Sequence, residues 1–255
     1  MNSGQQLQLF HRRALIVFPP AMLTADSMGE VEADDGLRYY VKSDVHGKAV
    51  RASEWISTHL AEAVGIAAPN PVTMQMPNGE VVFGSRRIIG VADQLQTQVF
   101  LSTPSIGNVN QSTPGLGILL SKIYALDLFL FNDDRHANNY LSVNDNGVQR
   151  LYAFDFSRAL FWHWPWAGYP PPQCNTRRVG AILRSHHGFD LVAANSVLDA
   201  LAAFAPASLQ GFINQMPADW LPASLHAQFM SVWTAGARQS RIDDIRKGLS
   251  DGSLL

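Results

Sequence analysis

The chain has 255 residues, 47% hydrophobic and 16% charged, a composition that can bury a large core and that excludes disorder of the whole chain. Lysine and arginine number 19 against 21 aspartate and glutamate residues, for a net charge of −2. No basic excess is therefore present to bind the phosphates of a nucleic acid. The single cysteine, Cys174, excludes an internal disulfide and nearly excludes a cysteine-based zinc site.

The apolar stretches are too short or too interrupted to cross a lipid bilayer. Residues 14–18 form a brief apolar run before Pro19, which is shorter than the core of a signal peptide. Residues 116–131 are interrupted by Lys122 and Asp127, as in a buried helix of a globular protein. We therefore expect a cytoplasmic protein that binds neither a membrane nor nucleic acid directly.

The first third of the chain predicts a small antiparallel sheet with one helix. Two turn pairs, Asp35-Gly36 and Asn78-Gly79, are typical of tight hairpins because their residues tolerate positive φ. The apolar spacing of residues 50–64 predicts an amphipathic helix that ends at Gly65. The predicted strands are residues 14–18, 29–32, 37–42, 72–76 and 80–89.

The remainder of the chain is predicted to be mainly helical. Residues 90–117 are rich in glycine, proline, serine and threonine, which favours an irregular linker. A buried helix over residues 117–131, a polar turn over 132–139 and a hairpin around Asn146-Gly147 follow. An aromatic, proline-rich loop at residues 159–175 then precedes helices at 190–204, 207–215, 222–238 and 241–249. The chain is thus predicted to be α+β, with a β-rich N-lobe (residues 1–89) and a helical C-lobe (residues 90–255).

The polar turn carries the residues that point to chemistry. Asp134 and Asn139 lie five residues apart after the buried helix, and Asp155 closes the following hairpin. Three oxygen ligands around one point suit phosphoryl transfer, which depends on positioning and on neutralising the charge of phosphate oxygens. Carboxylate and amide oxygens such as those of Asp155 and Asn139 are ligands that Mg²⁺ accepts.

Two charged residues of the first third would complete such a site. Lys42 ends a predicted strand on the same face as Tyr40, and Glu54 lies on the helix beside its apolar stripe. A strand lysine held by a helix glutamate is the arrangement that fixes an ammonium group on nucleotide phosphates. Taken alone, each residue would instead be a solvated surface charge.

The run Asp134-Arg135-His136-Ala137-Asn138-Asn139, with Asp155-Phe156-Ser157, resembles the catalytic loop and metal motif of the phosphatidylinositol 3-/4-kinase-like group. Within that group it resembles the bacterial HipA-type Ser/Thr kinases. The Lys42 strand, the helix containing Glu54 and the Phe131-Asn132 pair are similar too.

The resemblance implies a two-lobed protein-kinase-like fold that binds ATP and Mg²⁺ and phosphorylates a protein serine or threonine, as a toxin-like enzyme. It implies that Asp134 is the catalytic aspartate and that His136 shapes its loop. Asn139 and Asp155 would bind the metal, and Lys42, braced by Glu54, would bind the nucleotide phosphates.

The sequence departs from this pattern at several positions. Ser157 stands where many kinases have glycine, and no glycine-rich phosphate loop is visible. Ser27 and Gly29 are the candidates for that loop, with Ser27 a candidate site of autophosphorylation. HipA-type proteins usually carry a further subdomain before the kinase lobes, whereas 41 residues precede Lys42 here. This difference predicts a separately encoded small partner that supplies the subdomain.

Several alternatives remain open at this level. Asp133 and Asn138 are also five residues apart, although the position of His136 favours the pair that begins at Asp134. The acceptor could be a small molecule or a lipid, or the chain could be a pseudokinase that binds nucleotide or a partner without transfer. A cationic acceptor is disfavoured by the basic residues after Asp155, namely Arg158, Arg177, Arg178 and Arg184. The aromatic loop could anchor a protein partner or cover the core.

Overall fold

The computed structural model describes residues 11–19, 27–105, 115–145 and 148–255. Its first five strands form a closed barrel in the order β1-β2-β3-β5-β4. The strands are β1 (Arg12–Phe18), β2 (Ser27–Ala33), β3 (Arg38–Lys42), β4 (Pro71–Gln75) and β5 (Val81–Arg86). Both predicted hairpins are present, as β2–β3 and β4–β5.

The alternation of side chains along β3 separates the barrel interior from its outer face. Tyr39 and Val41 are buried in the apolar interior of the barrel, together with residues such as Val31 and Met74. Tyr40 and Lys42 lie on the opposite face of the strand, because successive side chains of a strand point to opposite sides. Lys42 is therefore presented outside the barrel.

Helix α1 (Val50–Ala63) connects β3 to β4 and is buried on almost every face. Trp55 donates a hydrogen bond from Nε1 to the carbonyl oxygen of Phe212 at 2.8 Å and packs edge-on against Trp220. The predicted one-sided burial of this helix is wrong, because small polar residues such as Ser53 and Ser57 let its other face pack closely as well. Consequently α1 belongs to the large core formed with the C-terminal helices.

The second part of the chain is mainly helical and contains a two-stranded sheet. Helix α3 is buried along nearly its whole length and packs against α5 and α8. The elements are α2 (Gln94–Ser102), α3 (Leu116–Leu130), β6 (Tyr140–Asp145), β7 (Val148–Ala153), α4 (Asn175–Ile182), α5 (Leu191–Ala203), α6 (Pro206–Asn214), α7 (Ala223–Thr234) and α8 (Ala237–Asp251). The mixed α+β content agrees with the prediction.

Several predicted boundaries are wrong. Helix α2 lies inside the predicted linker, where Asp93 and Gln96 form a capping box that satisfies the first backbone N–H groups. Helix α4 was missed altogether. The last two helices meet at Gly236, which adopts a φ of 77°, so the predicted helix over 222–238 ends four residues early at Thr234. The Asn146-Gly147 turn lies outside the described residues.

No single helix in the described ranges has the length and apolarity needed to cross a membrane. In the same ranges, one pair of helices, α5 and α6, passes that test on length and composition when taken together, and the pair is bent by 81°.

Candidate active site

Lys42, Glu54 and Asp155 meet outside the barrel from three different elements. The Lys42 ammonium lies 2.6 Å from Glu54 Oε1 on α1 and 2.6 Å from Asp155 Oδ1, which follows β7. The side chains of Lys42 and Glu54 are 13% and 3% exposed, so the pair is not the solvated surface contact that each charge alone would suggest. Asp155 is 113 residues away from Lys42 along the chain.

This cluster keeps its two carboxylates in different environments. Burial raises the pKa of Glu54, against the opposing effect of the Lys42 charge. Burial alone would raise the pKa of Asp155 too, but the Lys42 ammonium and hydrogen bonds from Lys42 and Ser157 lower it to about 2. Asp155 is therefore ionised at neutral pH, as a metal ligand must be.

The backbone of Asp155 is held in an unusual conformation. Its φ of 60° lies in the left-handed region, which is costly for a residue other than glycine. Ser157 donates from Oγ to Asp155 Oδ1 at 2.8 Å. The serine that replaces the usual glycine thus contributes a hydrogen bond that orients the carboxylate, and Asp155 Oδ2 receives none from the described residues.

The loop between α3 and β6 holds Asp134 and Asn139 together. The amide nitrogen of Asn139, a buried residue, donates to the carbonyl oxygen of Asp134 at 3.1 Å. This bond leaves the amide oxygen of Asn139 as the group that a cation would contact. The ring of His136 accepts a hydrogen bond from the backbone N–H of Asn138 at 3.2 Å. The backbone carbonyl oxygen of His136 accepts one from the backbone N–H of Asn139.

A buried ion pair beneath the loop was missed from the sequence. Arg135 is fully buried, and its guanidinium donates to both carboxylate oxygens of Asp127 at 2.8 and 2.9 Å. The same guanidinium donates to the carbonyl oxygens of Asn139 and Phe154. Arg135 thereby joins the loop to the residue before Asp155. An acid inside an apolar helix needs a buried partner, so Asp127 was the signal that could have revealed this pair.

The two possible registers of the loop differ in their surroundings. Asp133 Oδ2 lies 2.8 Å from His163 Nε2, and Asp133 Oδ1 accepts from Arg158 at 3.4 Å. Asn138 is exposed and accepts from Gln98 at 2.7 Å. Because basic side chains engage both oxygens of Asp133, this geometry favours Asp134 and Asn139 as the functional pair.

The two candidates for a phosphate loop lie at the start of β2. Ser27 pairs with Lys42 in the barrel ladder, and its side chain is outside the described part of the chain. Gly29 pairs with Val41 just after a bulge and has a φ of 111°, a value that favours glycine. Ser27 and Gly29 therefore lie on the strand next to Lys42.

A cavity of about 480 Å³ opens on the outer face of β3. Tyr40 forms one side, Leu141 of β6 another, and residues 86–92, which run from the end of β5, line its edge. The backbone of this stretch is fixed at both ends, since Arg87 donates to Arg38 and Ala92 donates to Ser142, each at 2.8 Å. Tyr40 is on the same strand face as Lys42, so the cavity lies on the side of β3 that presents the charged cluster.

The basic residues after Asp155 do not form one surface. Arg177 is buried and donates to the carbonyl oxygens of Pro170 and Ser253, so it adds no charge to the surface that an acceptor would meet. Arg158 is 38% exposed and stacks on Trp162. Arg178 and Arg184 are exposed.

The aromatic loop mainly covers the core. Trp164 and Trp166 contact each other, with ring centroids 5.1 Å apart, and Trp164 also packs on Phe229 of α7. Arg241 of α8 lies over the ring of Trp166 at 4.6 Å.

A model of the HipA-like kinase family matches residues 30–240, most of the chain. The chain belongs to the HipA-like kinase family. Membership makes it a kinase, that is, a phosphotransferase. No curated protein matches the sequence.

Solved structures share the fold of this HipA-like kinase at low sequence identity. The proinflammatory kinase CtkA of Helicobacter pylori aligns over 90% of this chain and 94% of its own, with 15% identity and a TM-score of 0.55. HipA of Shewanella oneidensis, solved with HipB and operator DNA, aligns over 96% of this chain and 76% of its own, with 12% identity and a TM-score of 0.54.

Proposed function

We propose that this HipA-like kinase uses ATP and Mg²⁺ to phosphorylate a serine or threonine of a protein. The observation that carries the proposal is the contact of Lys42 with both Glu54 and Asp155, next to the loop of Asp134 and Asn139. This placement supports a two-lobed kinase-like arrangement, with the nucleotide between the barrel and the helical part.

The adenine would occupy the cavity between Tyr40 and Leu141, with its polar edge towards the backbone of residues 86–92. The volume of about 480 Å³ and the apolar lining residues, which include Leu37, Ile88 and Leu141, suit a planar heterocycle, and Arg38, Arg86 and Arg87 add positive charge to the lining. The nucleotide phosphates would then extend along β3 towards Lys42, whose position is fixed by Glu54. Gly29 would let the adjacent strand approach those phosphates closely.

Mg²⁺ would be held by Asp155 Oδ2 and by the amide oxygen of Asn139. In the described ranges no group of three or more His, Cys, Asp or Glu side chains could hold a metal. One carboxylate and one amide nevertheless fit Mg²⁺, which takes its remaining ligands from phosphates and water. When bound, the ion neutralises charge on the phosphate oxygens during transfer.

Asp134 would act on the acceptor hydroxyl. Its carboxylate would orient the hydroxyl group and accept its proton as the γ-phosphoryl group is transferred. Asn139 connects this aspartate to the metal side of the site, because its amide nitrogen donates to Asp134 and its amide oxygen remains available. The arrangement favours an active enzyme over a pseudokinase, since each charged group needed for transfer has a supporting contact.

A protein acceptor is supported by two basic side chains of the segment after Asp155: Arg158, which pairs with Asp133, and the exposed Arg178. Arg158 and Arg178 would repel a cationic small molecule and attract an acceptor segment that carries acidic groups. We also propose a cytoplasmic location, where ATP is available. The separately encoded partner stays a prediction, and co-purification of a stoichiometric small polypeptide would test it.

Thermal unfolding with and without ATP and Mg²⁺ tests the nucleotide site. A ligand at 100 times its Kd adds about 2.7 kcal/mol, which raises the Tm by roughly 5–11 °C at this size. We expect a magnesium-dependent rise in the wild type that Asp155→Asn loses. No rise at millimolar ATP would contradict the proposed site. A cationic aminoglycoside or a phosphoinositide phosphorylated in preference to proteins would instead support the small-molecule or lipid alternative.

A further inference from the structure

The N-terminal end of α4 lies directly against the loop that contains Asp134. Asn175 donates from Nδ2 to Asp134 Oδ1 at 2.6 Å, a short contact from an amide to a carboxylate. The next residue, Thr176, donates from Oγ1 to the carbonyl oxygen of Asn132 at 2.6 Å and accepts from the backbone N–H of Arg135 at 2.9 Å. These contacts hold the loop on both sides of Asp134.

We infer that Asn175 is a positioning residue for Asp134. The terminal torsion of an aspartate is broad, so a free carboxylate samples many orientations. A charge-assisted hydrogen bond to one oxygen fixes the plane of the group and directs the second oxygen. The second oxygen of Asp134 would then face the acceptor hydroxyl. The inference rests on the proposed function, in which Asp134 acts on that hydroxyl.

The support behind Asn175 is rigid, which a positioning residue requires. Thr176 is fully buried, and the Arg177 guanidinium donates hydrogen bonds to the carbonyl oxygens of Pro170 and Ser253. The helix cap is made by Cys174, whose sulfur accepts from the backbone N–H of Arg177. Replacing the side chain of Asn175 therefore removes no capping group from α4.

Two substitutions separate orientation from packing. Asn175→Ala removes the donor, whereas Asn175→Asp keeps the shape and places a second carboxylate where the amide donated. A residue needed only for packing would tolerate the isosteric aspartate better than alanine. If Asn175 is a positioning residue, Asn175→Asp should lose more activity than Asn175→Ala, because the new carboxylate repels Asp134 and cannot donate a hydrogen bond to it. Asn214→Asp is the matched control, since Asn214 is exposed on α6 and, among the residues that the structure describes, accepts a side-chain hydrogen bond from Gln210 alone.

The assay measures ³²P transfer from ATP, with Mg²⁺, to the chain itself and to a degenerate serine/threonine peptide library. We expect kcat to fall tenfold to a hundredfold in Asn175→Ala and further in Asn175→Asp. The KM for ATP stays within twofold of the wild type, and thermal unfolding shows both variants folded. Asn214→Asp keeps the wild-type kcat.

Three outcomes overturn the inference in distinguishable ways. If the wild type transfers no phosphoryl group, the proposed function fails and the role of Asn175 fails with it. If the wild type is active and Asp134→Ala is inactive, yet Asn175→Asp keeps kcat within twofold, only the positioning role is refuted. A fall in kcat matched by a loss of ATP affinity would also refute it, because Asn175 would then act on nucleotide binding.

Discussion

Replacing Arg135 by methionine should cost the protein much of its stability as well as the order of its catalytic loop. Arg135 is fully buried and makes two hydrogen bonds to the carboxylate of Asp127 and two more to the carbonyl oxygens of Asn139 and Phe154. Arg135→Met leaves the Asp127 carboxylate in the core with only the amide of Asn132 as a side-chain partner among the described residues.

The expected loss of stability follows from the Asp127 carboxylate, which stays buried without its positive partner. Removing one member of a buried ion pair costs about 3–5 kcal/mol, which at this chain length lowers the Tm by roughly 6–20 °C. Asp127→Leu alone should cost a similar amount, because it leaves the Arg135 charge buried. The double variant Asp127→Leu/Arg135→Met should lose far less than the sum of the two, since it buries neither charge. It should still be nearly inactive, because Asn139 and Phe154 lose their common donor.

Urea unfolding of the wild type, the two single variants and the double variant measures the coupling energy between Asp127 and Arg135. Arg246→Met is the matched control, since Arg246 pairs with Asp199, whose side chain is 71% exposed. An exposed pair of this kind contributes less than about 1 kcal/mol. If Arg135→Met costs no more than Arg246→Met, or if the effects of the two core substitutions simply add, the proposed role of the buried pair is wrong.

Three further predictions test other parts of the structure. Burial of His59 lowers its pKa to about 4, so the unfolded chain, with a pKa near 6.5, binds a proton that the folded chain excludes. The free energy of unfolding should therefore fall by about 2 kcal/mol between pH 7 and pH 5 from this residue alone, and urea unfolding of His59→Phe should lack that fall. Asp133→Asn should reduce kcat less than about tenfold, against at least about a hundredfold for Asp134→Ala; the reverse order in steady-state kinetics would reassign the two aspartates. Ser157→Ala removes the hydrogen bond that orients the Asp155 carboxylate, so the Mg²⁺ concentration for half-maximal transfer should rise about tenfold. An unchanged requirement in a Mg²⁺ titration would exclude that role.

The elements that sequence reasoning located are those with local signals. Asp35-Gly36 and Asn78-Gly79 specify their turns with adjacent residues, so both hairpins of the barrel could be predicted. The pairing of Lys42, on a strand, with Glu54, on the next helix, could also be predicted. That Asp155 joins them was inferred from the set of residues that phosphoryl transfer needs, because no local pattern relates residues 113 positions apart.

The contacts that sequence reasoning missed depend on tertiary packing. Arg135 looks like a solvated charge in a polar turn until α3 places Asp127 beneath it. The cap of helix α4 is Cys174, a residue without the usual capping oxygen, so the start of the helix gives little signal in the sequence. Without that helix, the approach of Asn175 to Asp134 could not be anticipated. Helix α2, in contrast, carried a readable signal in Asp93 and Gln96 that its polar surroundings obscured.

The most direct test of the central claim is ³²P transfer from ATP by the wild type and by Asp134→Ala, at saturating ATP and Mg²⁺. Thermal shifts with ADP and Mg²⁺ would confirm that both proteins still bind nucleotide. We expect label on serine or threonine in the wild-type reaction and at least about a hundredfold less with Asp134→Ala. Equal labelling by the two proteins, or none by a wild type that binds nucleotide, would contradict the assignment of this site as a kinase centre.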